Sequence, residues 1–357
     1  MKLLLYSLPV VLLLAFARLK PAPNFDNLRL NQIQVIGSHN SYKQAIDPAL
    51  FAVLKKVDSG RFKAIEYSHQ TLTEQLDRRL QGLEIDIYAD TKGGRYARPL
   101  GLTLAKEQAP YDTAGMNAPG FKVLHIQDID FRSNCPTFRQ CLAELKRWSE
   151  AHPNHYPVFI TMNAKDDTIR RPGFVLPEAF TAPVLNQLDS TLLAGLGRRR
   201  LLVPDDVRGT YPTLEAAVRA GNWPTMRAAR GKFLFVLDEM GRKRDAYRAG
   251  HPSLAGRVLF TNAEPGSPDA AFVILNDPIG DSTRIRDYVR RGYLVRTRAD
   301  ADTKQARTND YRSFEVAQRS GAQIITTDYY VPSAFFPSTY TVRFADETYL
   351  RANPILR

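Results

Sequence analysis

Four stretches of this chain repeat one order of events. The segments "LTEQLDRRLQGLEIDIYAD", "MRAARGKFLFVLDE", "IRDYVRRGYLVRTRAD" and "VAQRSGAQIITTD" each run a helical pattern up to a glycine, then an apolar strand that ends in charged residues. The glycines are Gly82, Gly231, Gly292 and Gly321, and glycine suits the left-handed conformation that closes a helix. In the first stretch Leu72, Leu76 and Leu80 recur at intervals of four and form one stripe facing a sheet. Another helix begins in "PTFRQCLAELKRW", where Thr137 and Gln140 have capping-box spacing and Phe138, Cys141, Leu142 and Leu145 make the buried side. Pro153 stops it before the strand "PVFITMN".

Strands alternating with helices predict a parallel sheet with helical covers. The expected strands are 33–37, 83–88, 122–126, 158–162, 232–237, 271–275, 293–295 and 323–326. Eight strands fit an α/β fold of one closed (β/α)8 TIM barrel. A doubly wound open sheet is the alternative, but no Gly-rich phosphate loop follows the first strand. The interval from Lys165 to Gly231, with "LLVPDDVRG" inside it, reads as an elaborated connection with room for an uncounted strand.

The 357 residues are 44% hydrophobic, enough to bury a large core. Residues 1–17, "MKLLLYSLPVVLLLAFA", have the lysine, short apolar run and small-residue ending of a secretory signal, with a retained anchor as the alternative. Residues 18–357 then form one domain, secreted or periplasmic, with no linker that forces a second. Export puts Cys135 and Cys141 in an oxidising compartment and predicts a local disulfide. Two cysteines without a nearby histidine pair do not make a zinc site. A formal charge of +12 favours anionic partners, namely phosphate-bearing substrates or an anionic membrane surface. No zinc finger, helix-turn-helix or aromatic-interleaved basic stretch speaks for nucleic acid.

The C-terminal strand ends carry His39 and Asn40, Glu84 and Asp86, His125, Asn163 and Lys165, Asp238, Asn276, Arg296 and Arg298, and Asp328. Barrels of this kind build their active sites at that rim. Glu84 and Asp86, two apart, share one side of a strand, where like charges invite a proton or a cation. Two carboxylates and the Asn40 amide suit a hard cation such as Ca²⁺ or Mg²⁺ better than zinc or copper. His69 in "EYSHQTL" precedes a helix and is expected to be structural or capping. His152, His155 and His251 lie beside prolines or in loops and are expected to be solvated.

"GSHNSY", "LTEQLDRRLQGLEIDIYAD", "KVLHIQD", "PVFITMNAKDD", "GSPDAAFVILNDP", "RTRADADT" and "GAQIITTDYY" together resemble the secreted microbial Ca²⁺-dependent phosphoinositide-specific phospholipase C family. The resemblance implies the PLC-like phosphodiesterase barrel, a paired-histidine site at His39 and His125, and Ca²⁺ ligands at Asn40, Glu84, Asp86 and Asn163. Asn163 stands where the family carries a glutamate, so the site has one charge fewer. The implied reaction cleaves an inositol phospholipid to diacylglycerol and a cyclic inositol phosphate. Lys165, Asp238, Arg296 and Arg298 are the expected contacts to phosphate or inositol hydroxyls. A glycerophosphodiester phosphodiesterase on the same barrel, and a non-catalytic binder of anionic membranes, are the alternatives. The chain is expected to work as a monomer at a phospholipid surface.

Overall fold

A computed structural model describes residues 24–345 and 347–356, and the expected secretory segment lies outside the described residues. Eight parallel strands follow in order: β1 Ile33–Ser38, β2 Gly82–Ile87, β3 Val158–Ala164, β4 Phe233–Leu237, β5 Phe260–Thr261, β6 Phe272–Ile274, β7 Leu294–Arg298 and β8 Ile324–Thr327. The sheet runs β5-β4-β3-β2-β1-β8-β7-β6. A parallel bridge between Asn262 and Phe272 joins its two ends, so the strands form a (β/α)8 barrel and not an open sheet. A ninth strand, β9 Leu350–Ala352, pairs antiparallel with the first half of β1. It takes the edge that β2 leaves free, because β1 and β2 share only the Gly37–Gly82 register pair.

One expected strand is absent, and one strand that was not expected takes its place in the count. Residues 122–126 form no strand; Lys122 makes single antiparallel bridges to Tyr88 and Thr137. The apolar run is real, but Val123 packs into the main barrel core while Leu124 packs into a smaller cluster with Leu50, Phe62, Tyr88, Tyr96 and Phe131. Two cores satisfy its two faces without sheet pairing. The eighth strand is instead β5, whose two residues are too few to show a period.

Helix ends follow local chemistry. The Thr137 hydroxyl accepts from Gln140 N–H at 3.3 Å while the Thr137 N–H donates to the side-chain amide oxygen of Gln140 at 2.9 Å, completing the expected box. The helix Phe138–Ala151 buries Phe138, Cys141, Leu142 and Leu145 as expected, and Cys135 and Cys141 are bonded. Gly292 and Gly321 take positive φ after their helices, but Gly82 does not. Arg79, at φ 70°, makes that turn, and no helix precedes Gly231 in the segment 226–230. The need for glycine at 82 is contact: a Cβ there would lie 3.0 Å from the Gly37 Cα, and a Cβ on Gly37 would in turn lie 2.5 Å from the Gly82 carbonyl oxygen.

At the rim, Asp300 ties the end of β8. It accepts from the Thr327 hydroxyl and, at 2.9 Å, from Asp328 N–H. Burial and the Asp328 charge push its carboxyl up to about 7.

Gly37→Ala sets backbone against backbone and is expected to cost about 1–3 kcal/mol or more in urea unfolding. Gly60→Ala, in a helix with nothing closer than 3.6 Å to the new carbon, serves as the tolerated control. Because the folded chain holds the Asp300 proton more tightly than the unfolded chain, its stabilisation is full below about pH 4 and is lost as pH rises through about 7. Asp300→Asn is therefore expected to flatten the decline of unfolding free energy between those values, measured as urea curves across pH.

Candidate active site

The strand ends meet at one cleft of about 210 Å³, lined by His39, Asn40, Glu84, Asp86, His125, Asn163, Lys165, Asp238, Asn276, Arg296 and Arg298. Every residue expected at the rim is there except Asp328. Asp328 lies directly behind His39. His125 reaches the cleft from a tight loop, closed by His125 N–H and Ile126 N–H donating to the Asp130 carbonyl, and not from a strand end.

β2 places Glu84 and Asp86 on the inner side of the barrel mouth, both buried. Burying two carboxylates together is tolerated only where their charge is matched. Arg296, itself buried, donates to Glu84 and, through its other terminal nitrogen, to Asn276 at 2.5 Å. Lys165 Nζ lies 3.4 Å from Asp86. The Asn163 amide nitrogen bridges the pair, donating to Glu84 at 3.2 Å and Asp86 at 2.9 Å. Burial would raise Asp86, but Lys165, His125 and Asn163 outweigh it and hold its carboxyl below the usual range. Asp86 in turn raises Lys165. Among the described residues Asp238 has no cation in direct contact, only the Asn262 amide at 3.1 Å, and burial pushes it up to about 6.

Each catalytic-type histidine stands on a carboxylate. His39 Nδ1 donates to Asp328 at 2.8 Å, and His125 Nδ1 donates to Asp130 at 2.7 Å. Arg298 can only donate, and its Nη1 lies 3.3 Å from His39 Nε2, so this nitrogen carries the lone pair. Burial and Arg298 hold the His39 imidazole below its usual range. Two imidazoles oriented in this way can give and take protons across the cleft.

Asp130 and Lys43 were not legible as site residues. Lys43 is fully buried and pairs with Asp130 at 3.3 Å, while its ammonium also donates to the Tyr67 carbonyl at 3.0 Å. The available signal was the short spacing in "HIQDID", which lets a loop fold the carboxylate back onto His125. Tyr67 was missed as well; it accepts from the Asn40 amide nitrogen at 2.8 Å and leaves that residue's carbonyl oxygen for the cleft. The donor set of two carboxylates and two amides is all oxygen, which fits a hard cation such as Ca²⁺.

Of the other histidines, His69 is buried and structural in its packing, but Thr71 is the residue that caps the helix Leu72–Asp77. His152 is exposed, in keeping with a solvated role. His155 is not simply solvated: it is half-buried between Trp148 and Phe233, and burial lowers its pKa. His251 is also partly buried, its Nδ1 bonded to the Ala255 carbonyl at 2.8 Å.

Residues 28–354 match the family described as phosphoinositide phospholipase C, Ca²⁺-dependent. Among solved structures, the chain is similar to the calcium-dependent phosphoinositol-specific phospholipase C of a Gram-negative Pseudomonas species. That match has a TM-score of 0.57 and 16% identity, covering 93% of this chain and 97% of the other. It is similar also to the Ca²⁺-dependent phosphatidylinositol-specific enzyme of Streptomyces antibioticus, with a TM-score of 0.52, 20% identity, and coverage of 85% and 95%. At these identities the structures establish a common barrel. A separate match, 34% identical over 70 residues, is to the small ribosomal subunit protein bS6 of Deinococcus radiodurans; it takes in 20% of this chain and spans 62% of that protein's length. The family match, by contrast, runs through all eight barrel strands and every residue lining the cleft, and the chain belongs to the Ca²⁺-dependent phosphoinositide phospholipase C family.

Proposed function

We propose that this chain is an exported phospholipase C. It cleaves phosphatidylinositol, or a closely related inositol phospholipid, on the diacylglycerol side of the phosphate and releases a cyclic inositol phosphate. The observation that carries this reading is the pair of His–Asp dyads facing one cleft that is otherwise lined by carboxylates, amides and cations.

Proton transfer divides between the two imidazoles. His39 offers an unprotonated Nε2 and takes the proton of the inositol hydroxyl that attacks phosphorus, while Asp328 steadies the imidazolium that forms. His125, held by Asp130, gives a proton to the departing glycerol oxygen. Arg298 and Lys165 face the cleft from opposite sides and stabilise charge gathering on the phosphate oxygens. Asp238, held by Asn262, accepts from an inositol hydroxyl. Asn40, Glu84, Asp86 and Asn163 are the oxygen ligands for Ca²⁺, which when bound supplies positive charge beside the phosphate. Asn163 must turn its amide over to present oxygen, since its nitrogen now faces both carboxylates. The +12 chain favours an anionic lipid surface, and the Cys135–Cys141 bond supports an oxidising compartment.

Phosphatidylinositol vesicles with Ca²⁺ are expected to yield water-soluble inositol phosphate, with turnover abolished by a chelator. His39→Ala and His125→Ala are each expected to lose at least about a hundredfold in kcat. Undiminished turnover in chelator refutes the metal role. Faster cleavage of glycerophosphocholine than of phosphatidylinositol makes the chain a glycerophosphodiesterase, and vesicle binding without turnover makes it a binder.

A second measurement concerns the missing charge at residue 163. Asn163→Glu is expected to tighten Ca²⁺ binding in calorimetry about tenfold, equivalent to about 1.4 kcal/mol.

A further inference from the structure

His69 is a third histidine near the cleft, and the chemistry above does not use it. Its side chain is wholly enclosed, and neither ring nitrogen has a hydrogen-bond partner among the described residues. Leaving such a group unpaired in the interior costs on the order of 1–3 kcal/mol, so an imidazole kept here needs an acceptor. The ring has little freedom to seek one elsewhere. It stacks on Tyr330 at 5.5 Å with planes 16° apart, and Tyr67 meets it edge-on at 5.6 Å. Both clamps are pinned in turn, Tyr330 by Gln70 N–H at 3.1 Å and Tyr67 by Asn40 at 2.8 Å.

Clamped in this way, His69 Nε2 lies 3.7 Å from Asp328 Oδ1. The same oxygen accepts from His39 Nδ1 at 2.8 Å, and the other oxygen lies 3.3 Å from Arg298 Nη2. We propose that His69 is a positioning residue for the phosphodiester cleavage: it donates from Nε2 to Asp328 and fixes the carboxylate rotamer that holds His39 toward substrate. Closing the gap takes a shift of about half an ångström. A carboxylate that accepts from two imidazoles and faces an arginine cannot rotate away from His39. Burial alone would raise Asp328, yet it is held well below the usual range because His39, His69 and Arg298 all favour its charge.

This inference rests on the proposed phospholipase C activity, and its test separates the two. His69→Phe keeps the ring stack and removes the donor, whereas His69→Gln returns an amide N–H near the place of Nε2. With phosphatidylinositol and saturating Ca²⁺, His69→Phe is expected to lower kcat about tenfold to a hundredfold with KM within about twofold. His69→Gln is expected to restore most of it, with urea curves confirming that both fold. A wild-type kcat in His69→Phe overturns the proposal, as does a folded His69→Gln as slow as His69→Phe. If His69→Phe does not fold, His69→Gln decides alone: near wild-type kcat supports the proposal and a tenfold loss overturns it. If the wild-type chain does not turn over phosphatidylinositol, the functional reading fails, and imidazole ¹⁵N resonances still test the contact. A His69 signal that shifts in Asp328→Asn supports it, and one that stays put overturns it.

Discussion

Two carboxylates buried side by side in the mouth of a barrel set the terms for everything around them. Glu84 and Asp86 leave β2 on the same side, and the interior cannot hold their joint charge unmatched. Arg296 comes from β7 to meet Glu84, Lys165 follows β3 to meet Asp86, and Asn163 spans both. The matching groups come from β7 and β3 and meet the carboxylates of β2, so the match exists only when the barrel is closed. It is also the reason that a cleft this polar can sit on a core this apolar.

The histidines depend on a second ring of carboxylates. Asp328 and Asp130 do not line the cleft, but each fixes one Nδ1 and so turns the opposite nitrogen toward it. Each is anchored from behind: Asp130 by the buried Lys43, Asp328 by Arg298 and by the backbone tie to Asp300. In the proposed reaction, orientation by a buried charge would cost little reorganisation, which is the advantage of holding a proton carrier in this way.

Legibility along the chain followed length and locality. Strands such as β3 and β4, with long apolar runs bounded by turn signals, declared themselves, and so did the capping box at Thr137. The two-residue β5 could not, since no period fits in two residues. Residues 122–126 misled because consecutive apolar side chains, Val123 and Leu124, say that two faces are buried, not that the backbone is paired. Gly82 misled for a related reason. Its position after a helix suggested a cap, whereas its place against Gly37 across the β1–β2 seam is a long-range fact.

The sequence by itself determined the barrel and the set of groups at its mouth, because helix and strand periods are local and a polar residue at the C-terminal end of a parallel strand has one rim to face. Ten of the eleven cleft residues were readable on that ground; His125 was expected from a strand, 122–126, that the fold replaces with a loop. Tertiary structure alone decided which group answers which. Arg296 reaches Glu84 across 212 residues of chain, and His39 reaches Asp328 across 289. Pairings over such distances depend on barrel closure and strand register, and no local pattern records them. That is why Asp130, Lys43 and Tyr67 entered the site only once the chain was folded.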